Sequence, residues 1–288
     1  MIDPERLLRH PIPEIRQKYS RKDTMLYALG LGLGRRSSPS HAQEMRYVYE
    51  KELSALPTMG LVLGYPGLWM GDSATGIDVK RMLHGAQVVR LSKPLPVEGE
   101  VVSTSAVISV VDKGPGRDAV VVTRRRVVDT RRDELLCELD VVSVLRGQGG
   151  FGGSPSGAPT FAAIPERSPD LVDHWDLDER AALIYRLSGD FNPLHVDEAL
   201  AQSVGFAQPI LHGLCTLGSA VCSASRAALG FEAERIRMVA ARFTAPTYPG
   251  QRLRTEIWRA EGELLFRCHT EGEGAACVLD NGSISLTS

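Results

Sequence analysis

Leu214-Cys-Thr-Leu-Gly-Ser-Ala-Val-Cys-Ser-Ala-Ser-Arg-Ala-Ala-Leu229 is a run of small and apolar residues, opened by His212-Gly213 and closed by Gly230. A helix apolar on every side has to be buried on every side, and a glycine just past the end supplies the left-handed residue that closes it. The run therefore predicts a helix at the centre of a core. The residues downstream predict what wraps it. Residues 252–260, 263–270 and 275–279 are short stretches rich in β-branched and apolar residues, and Glu261-Gly262 is the turn between the first two. The expected unit is an antiparallel sheet around one helix.

The same order of parts stands upstream. Asp23-Thr-Met-Leu-Tyr27-Ala-Leu-Gly30 matches Ala181-Ala-Leu-Ile-Tyr185-Arg-Leu-Ser-Gly189 with one residue of slack. His84-Gly85 matches His212-Gly213, and the turn Pro94-Leu-Pro-Val-Glu-Gly99 matches Pro246-Thr-Tyr-Pro-Gly250. Strands at 100–110, 119–123 and 135–145 follow, with Lys113-Gly-Pro-Gly116 as a hairpin turn. Between the copies, Gly147-Gln-Gly-Gly-Phe-Gly-Gly-Ser-Pro-Ser-Gly-Ala-Pro159 is too rich in Gly, Ser and Pro for a core element. This gives a first repeat at 1–148, a linker at 149–160 and a second repeat at 161–288.

The copies differ at the helix. After His84-Gly85 the chain runs straight into Val88-Val-Arg-Leu91, a strand, so a central helix is absent or very short in the first half. Vacant volume under its sheet, able to hold a bulky apolar ligand tail, is the expectation. Long antiparallel sheets around a buried helix make the class α+β rather than alternating β-α-β.

Composition excludes several functions. With 33 basic against 35 acidic residues in 288 and no long charged block, a nucleic-acid footprint is missing. Arg124-Arg-Arg126 with Arg131 and Arg132 is the one cationic concentration: a solvated strand face or a contact for an anionic ligand. The five cysteines are scattered without Cys-x-x-Cys, so neither a disulfide framework nor a zinc site is suggested, and a reducing cytoplasm fits best. Neither a signal-peptide core nor a membrane span of ~18 apolar residues is expected, and the C-terminal residues are no Ser-Lys-Leu address. Gly30-Leu-Gly-Leu-Gly34 is not a dinucleotide fingerprint, because no strand precedes it and the third glycine is misplaced.

Chemistry concentrates in Tyr185-Arg-Leu-Ser-Gly-Asp190-Phe-Asn192-Pro-Leu-His195, where Gly189, Asn192 and Pro193 should turn the chain out of a helix. A carboxylate, an amide and an imidazole could then converge. Asp190 and Asn192 could equally cap a turn, and His195 could be a satisfied core histidine. A metal site of Asp190, His195 and His212 lacks a recognisable ligand spacing.

Ser188-Gly-Asp-Phe-Asn-Pro-Leu-His195, with Leu83-His-Gly-Ala-Gln87, Pro209-Ile-Leu-His-Gly-Leu-Cys215 and Arg242-Phe-Thr-Ala-Pro-Thr-Tyr-Pro-Gly250, resembles the MaoC-like, hydratase 2 type enoyl-CoA hydratases over nearly the whole chain. The resemblance implies a double hot-dog fold and (R)-specific hydration of a trans-2-enoyl-CoA, with no metal or redox cofactor. It implies that Asp190 and His195 form the acid/base dyad. It also implies that the first half, with Gly30-Leu-Gly-Leu-Gly34 where the motif would be, has lost its own dyad and binds coenzyme A and the acyl chain. His84, Gly85, Lys113, Phe191 and Phe243 are the ligand contacts it implies, Lys113 being suited to a coenzyme A phosphate. Glu is common in the family where Ala86 stands.

Hydrating a double bond conjugated to a thioester needs a base for water, an acid for the α carbon and donors for the enolate oxygen. Asn192 could orient the water, and which of Asp190 and His195 takes its proton is open. Gly213 is the expected oxyanion donor, since backbone N–H groups at a helix start lack intrahelical partners. A homodimer follows by analogy alone. A hydratase for a branched or dicarboxylic acyl-CoA, a hot-dog thioesterase and a non-catalytic acyl-CoA binding protein are the alternatives.

Overall fold

Extended stretches joined by tight turns pair with their sequence neighbours as antiparallel strands. A computed structural model describes residues 2–287. Its elements are α1 (Pro4–Leu8), β1 (Ile15–Tyr19), α2 (Arg21–Gly30), α3 (His41–Val48), β2 (Met82–Leu91), β3 (Gly99–Asp112), β4 (Ala119–Asp129) and β5 (Glu134–Leu145). They continue with β6 (Leu171–Asp176), α4 (Ala181–Tyr185), α5 (Glu198–Ser203), α6 (Gly213–Leu229), β7 (Ile236–Phe243), β8 (Arg252–Ala260), β9 (Glu263–Thr270) and β10 (Cys277–Leu286). The strands form one sheet in the order β1-β3-β4-β5-β2-β7-β10-β9-β8-β6. Every pairing is antiparallel. The two halves join at β2 and β7, where Ala86 faces Arg242 and Arg90 faces Met238. The α+β expectation holds.

α6 lies in the core with every residue from Cys215 to Ser225 buried, and Gly230 closes it at φ 56°. Small residues are a packing requirement there, since a Cβ on Gly218 would sit 2.8 Å from Leu31 Cδ2. Its C-terminal half is tied to β6: Ser223 Oγ donates to Asp173 at 2.6 Å, and Arg226 pairs with the same carboxylate at 2.7 Å. The duplicated helices α2 and α4 touch at Gly30, where a Cβ would lie 3.3 Å from Tyr185 Cα. Tyr27 and Tyr185, equivalent in the two copies, sit with ring centroids 5.7 Å apart.

Two expectations need correction. The volume under the first half's sheet is not vacant: Leu56, Met59, Leu61, Val62 and Leu63 are buried in the main core there. They belong to a 3-10 turn at Pro57–Leu61 and the chain after it, so an irregular segment does what α6 does in the other half. A Cβ on Gly60 would already lie 3.0 Å from Cys137 Sγ. Second, the last strand does not stop at residue 279. Asp280-Asn-Gly is a bulge within β10, with Asn281 at φ 53°, and the strand runs on to Leu286.

The glycine-rich segment between the halves holds neither helix nor strand, yet it is fastened. Asp112, at the end of β3, accepts the amides of Gly114, Gly150, Gly152 and Gly153 at 2.7 to 3.3 Å. These bonds hold its carboxyl down at about 2. Glycine is needed because the chain comes so close: a Cβ on Gly149 would be 2.7 Å from the Gly114 carbonyl oxygen. All five cysteines are free, and no described helix is long and apolar enough to cross a membrane.

Candidate active site

After α4 the chain makes a 3-10 turn, Arg186–Ser188, and Gly189 adopts φ 123°, a conformation open to glycine. Asp190 Oδ1 then accepts the Asn192 amide at 3.2 Å, and Asn192 Oδ1 accepts the Leu194 amide at 3.1 Å. These two local bonds start the 3-10 turn Pro193–His195, which carries the His195 ring inward until it is buried. A carbonyl can only accept, so the 2.8 Å contact of His195 Nδ1 with the Ile210 oxygen fixes the proton on Nδ1. Nε2 keeps its lone pair.

His212, the residue before α6, completes the cluster. Its Nε2–H donates to the Asp190 carbonyl at 3.1 Å, and its ring lies on His195 with centroids 3.7 Å apart. Tyr185 stands on its other side at 5.1 Å. Asp190, His195 and His212 each offer a ligand-type atom within 4.8 Å of the others. The fold thus gathers three groups whose spacing in sequence suggested no metal site. Burial holds His195 below the ordinary histidine value, against the weaker pull of the Ile210 carbonyl and the Asp190 carboxylate. His212 is driven to about 3, first by burial and then by His195.

Gly213 is the first residue of α6, and its amide finds no backbone acceptor among the described residues. The lack of a side chain is explained by Phe243, since a Cβ here would lie 3.2 Å from its ring. Phe243 leans on His84 across the β2–β7 seam at a centroid distance of 4.7 Å. His84 Nε2 is enclosed and has no partner, and burial lowers that ring to about 4. Gly85 is confined too, because a Cβ there would lie 2.5 Å from Val144 Cγ2.

The structure therefore brings Asp190, His195, Gly213, Phe243 and His84 to one region. Two expected contacts are exposed. Lys113 is exposed on the β3–β4 turn, on a strand pair separated from β2 by β5. Phe191 is 57% exposed with Arg186 over its ring at 4.9 Å. The oxygen of the Asn192 amide serves as a cap by accepting from Leu194, and Nδ2 is its donor for a water. Ala86 is packed on the other face of the sheet against Val111, Val120, Val122 and Val142. Sequence reasoning gave His212 no catalytic role and missed Tyr185, whose hydroxyl is enclosed without a partner. Its only signal was a place at the head of the motif.

With this geometry in view, the comparisons fall into one family. Residues 160–276 match the MaoC like domain, and residues 17–147 match the MFE-2 hydratase 2 N-terminal domain. The chain belongs to the MaoC-like, hydratase 2 family. It is 39% identical over 272 residues to 3-hydroxyacyl-thioester dehydratase Y of Mycobacterium tuberculosis, covering 93% of this chain and 92% of that one. It is 33% identical over 276 residues to the peroxisomal enoyl-CoA hydratase 2 of Arabidopsis thaliana, covering 91% and 88%. A MaoC-like dehydratase from Phytophthora capsici superposes with TM-score 0.85 at 31% identity over 99% and 98% of the chains. A double hot-dog protein of Mycobacterium tuberculosis, 18% identical, superposes at 0.59 over 96% and 93%, a likeness of fold. The fold is the double hot-dog.

Proposed function

We propose that this chain catalyses the reversible addition of water to a trans-2-enoyl-CoA, giving an (R)-3-hydroxyacyl-CoA. The observation that carries the mechanism is the Nδ1–H bond of His195 to Ile210, which leaves Nε2 as a proton acceptor on a ring that has a nitrogen within 4.8 Å of the Asp190 carboxylate. A water between the two groups gives a proton to this pair, and its oxygen bonds to C3. The C2–C3 double bond becomes an enolate on the thioester, and C2 then takes a proton from the protonated pair. The free amide of Gly213 holds the enolate oxygen in this reading, where one such donor is worth about 3 kcal/mol in the transition state. The steps are proton transfers and one addition, which call on no metal or redox cofactor.

Family membership supports the acyl-CoA substrate, and the (R) configuration rests on that membership. Loss of the conjugated-thioester absorbance with crotonyl-CoA and a longer enoyl-CoA tests the reading. Asp190→Asn and His195→Gln should each lower kcat by about 10²- to 10⁴-fold. Full activity in both would remove the dyad, and release of free thiol would indicate a thioesterase instead. The chain is proposed to act as a homodimer in the cytoplasm, and sedimentation of the purified protein tests the first of these.

A further inference from the structure

The cationic stretch Arg124-Arg-Arg126 is divided by the sheet. Arg124 pairs with Asp140 at 2.7 Å and Arg126 with Glu138 at 4.0 Å, both on the outer face of β4. Arg125 points the other way and is only 4% exposed. Buried guanidinium groups are ordinarily paired with a carboxylate, because an uncompensated charge inside a protein is costly. Among the described residues Arg125 has no such partner. Nη2 donates to the Leu61 carbonyl at 2.6 Å, and Nε is enclosed with nothing to bond. Asp129, four residues along the same face, is turned to the amides of Arg131 and Arg132.

Two more unpartnered donors stand beside it. Ser105 is directly opposite Arg125 on β3, and Thr123 precedes it by two on the same face of β4. The hydroxyls of both are enclosed and without a partner. These residues interrupt the apolar lining: Val107, Val121 and Leu145 lie in one cluster, Val127, Leu136 and Leu139 in another. The gap is thus a polar patch inside the sheet, with three enclosed donors and no acidic side chain to receive them. Tyr65, itself 37% exposed, feels both Arg125 and the active-site Asp190. Its ring is 5.9 Å from Arg125 Cζ, and after burial the Asp190 carboxylate is the next cause raising its hydroxyl to about 12, with Arg125 opposing. β4 lies two strand spacings from β2, roughly 10 Å, the reach of a short acyl chain.

We propose that Arg125, with Ser105 and Thr123, forms an anion-recognising subsite for the acyl chain, and that the preferred substrate is a 2-enoyl thioester whose acyl chain carries a carboxylate. The proposal rests on the hydratase reading. A carboxylate supplies the charge Arg125 lacks and accepts from the hydroxyls as well, whereas an apolar tail would leave all three donors unpaired. Sites built to hydrogen-bond a group reject analogues that lack it far more strongly than apolar pockets discriminate methylenes.

The test compares trans-2-enoyl-CoAs of five to eight carbons with and without an ω-carboxyl group, so that coenzyme A is constant. For at least one length the wild-type protein should favour the carboxylated substrate by about tenfold or more in kcat/KM. Arg125→Met should lower turnover of that substrate at least tenfold and leave the uncharged one within about threefold, and Arg125→Lys should recover part of the loss. If no carboxylated substrate is preferred, or if Arg125→Met lowers both alike, the subsite is overturned; the second result assigns Arg125 to coenzyme A or to holding Leu61. Wild-type selectivity decides even if the variants fail to fold. If neither series is hydrated, the hydratase reading falls, and calorimetric binding of adipyl-CoA against hexanoyl-CoA decides the subsite by the same tenfold criterion.

Discussion

The imidazoles of His195 and His212 lie stacked, with centroids 3.7 Å and planes 29° apart. Two imidazolium ions at that distance would repel one another in a site already short of water, so the pair persists as neutral rings. His212 is held near 3, His84 near 4 and His195 below 6.5. The acid limb of kcat/KM should therefore fall below pH 6.5. Stability follows the same direction: the unfolded chain takes up these protons near 6.5 and the folded chain only lower. The contribution is fully present above pH 6.5 and is lost as pH falls toward about 4 and then about 3. A pH–rate profile and urea titrations between pH 4 and 8 check both; activity falling with an apparent pKa above 6.5 would contradict the lowering by burial argued for His195.

Removing metal should change nothing in the proposed reaction. Dialysis against EDTA is expected to leave turnover of crotonyl-CoA within experimental error. Loss of activity with recovery on adding zinc would instead assign the Asp190, His195 and His212 cluster to a bound ion, since their ligand atoms already converge within 4.8 Å.

Gly213 and Phe243 should be energetically coupled. Gly213→Ala places a Cβ 3.2 Å from the Phe243 ring, which is itself backed by His84 and cannot retreat freely. A fall in kcat/KM of about tenfold is expected, with partial recovery in Gly213→Ala/Phe243→Leu and a coupling of about 0.5–3 kcal/mol in the double-mutant cycle. Additive effects would separate the helix start from the seam.

Legibility in the sequence followed locality. β8, β9 and α6 were readable to the residue, because each is bounded by a local signal: a two-residue turn, a His-Gly start or a closing Gly230. β10 was cut short because Asp280-Asn281-Gly282 carries turn chemistry, and only the pairing with β7 and β9 makes it a bulge. Asn281 is held there by its Nδ2 bond to the Ala162 carbonyl, 119 residues away. The filled volume under the first half was unreadable for a related reason: Leu56 to Leu63 has no periodicity, and its burial is decided by Tyr27 and Cys137 from other parts of the chain. Likewise, no spacing rule puts His212 onto His195.

Asp112 should matter to stability rather than to chemistry. Asp112→Ala leaves four amides without their acceptor, so a lower melting temperature with little change in KM for a short enoyl-CoA is expected. The carboxyl is held down at about 2, so its contribution is present above the ordinary aspartate range and is lost as pH falls through about 4 toward 2. Thermal melts of both proteins at pH 7 and pH 3 check this. The difference between them should shrink at the lower pH.

Asn192 has two separable atoms. Oδ1 caps the turn by accepting from Leu194, while Nδ2 is the one donor the side chain can still offer a water. Asn192→Asp keeps the acceptor and removes the donor; Asn192→Ala removes both. Loss of the cap alone costs about 1 kcal/mol, so the alanine variant should be less stable by that amount and the aspartate variant close to wild type. If the amide orients the attacking water, kcat should fall about tenfold or more in both variants, although only one is destabilised. Wild-type kcat in Asn192→Asp would leave Asn192 as a cap and give the placing of the water to Asp190 and His195 alone.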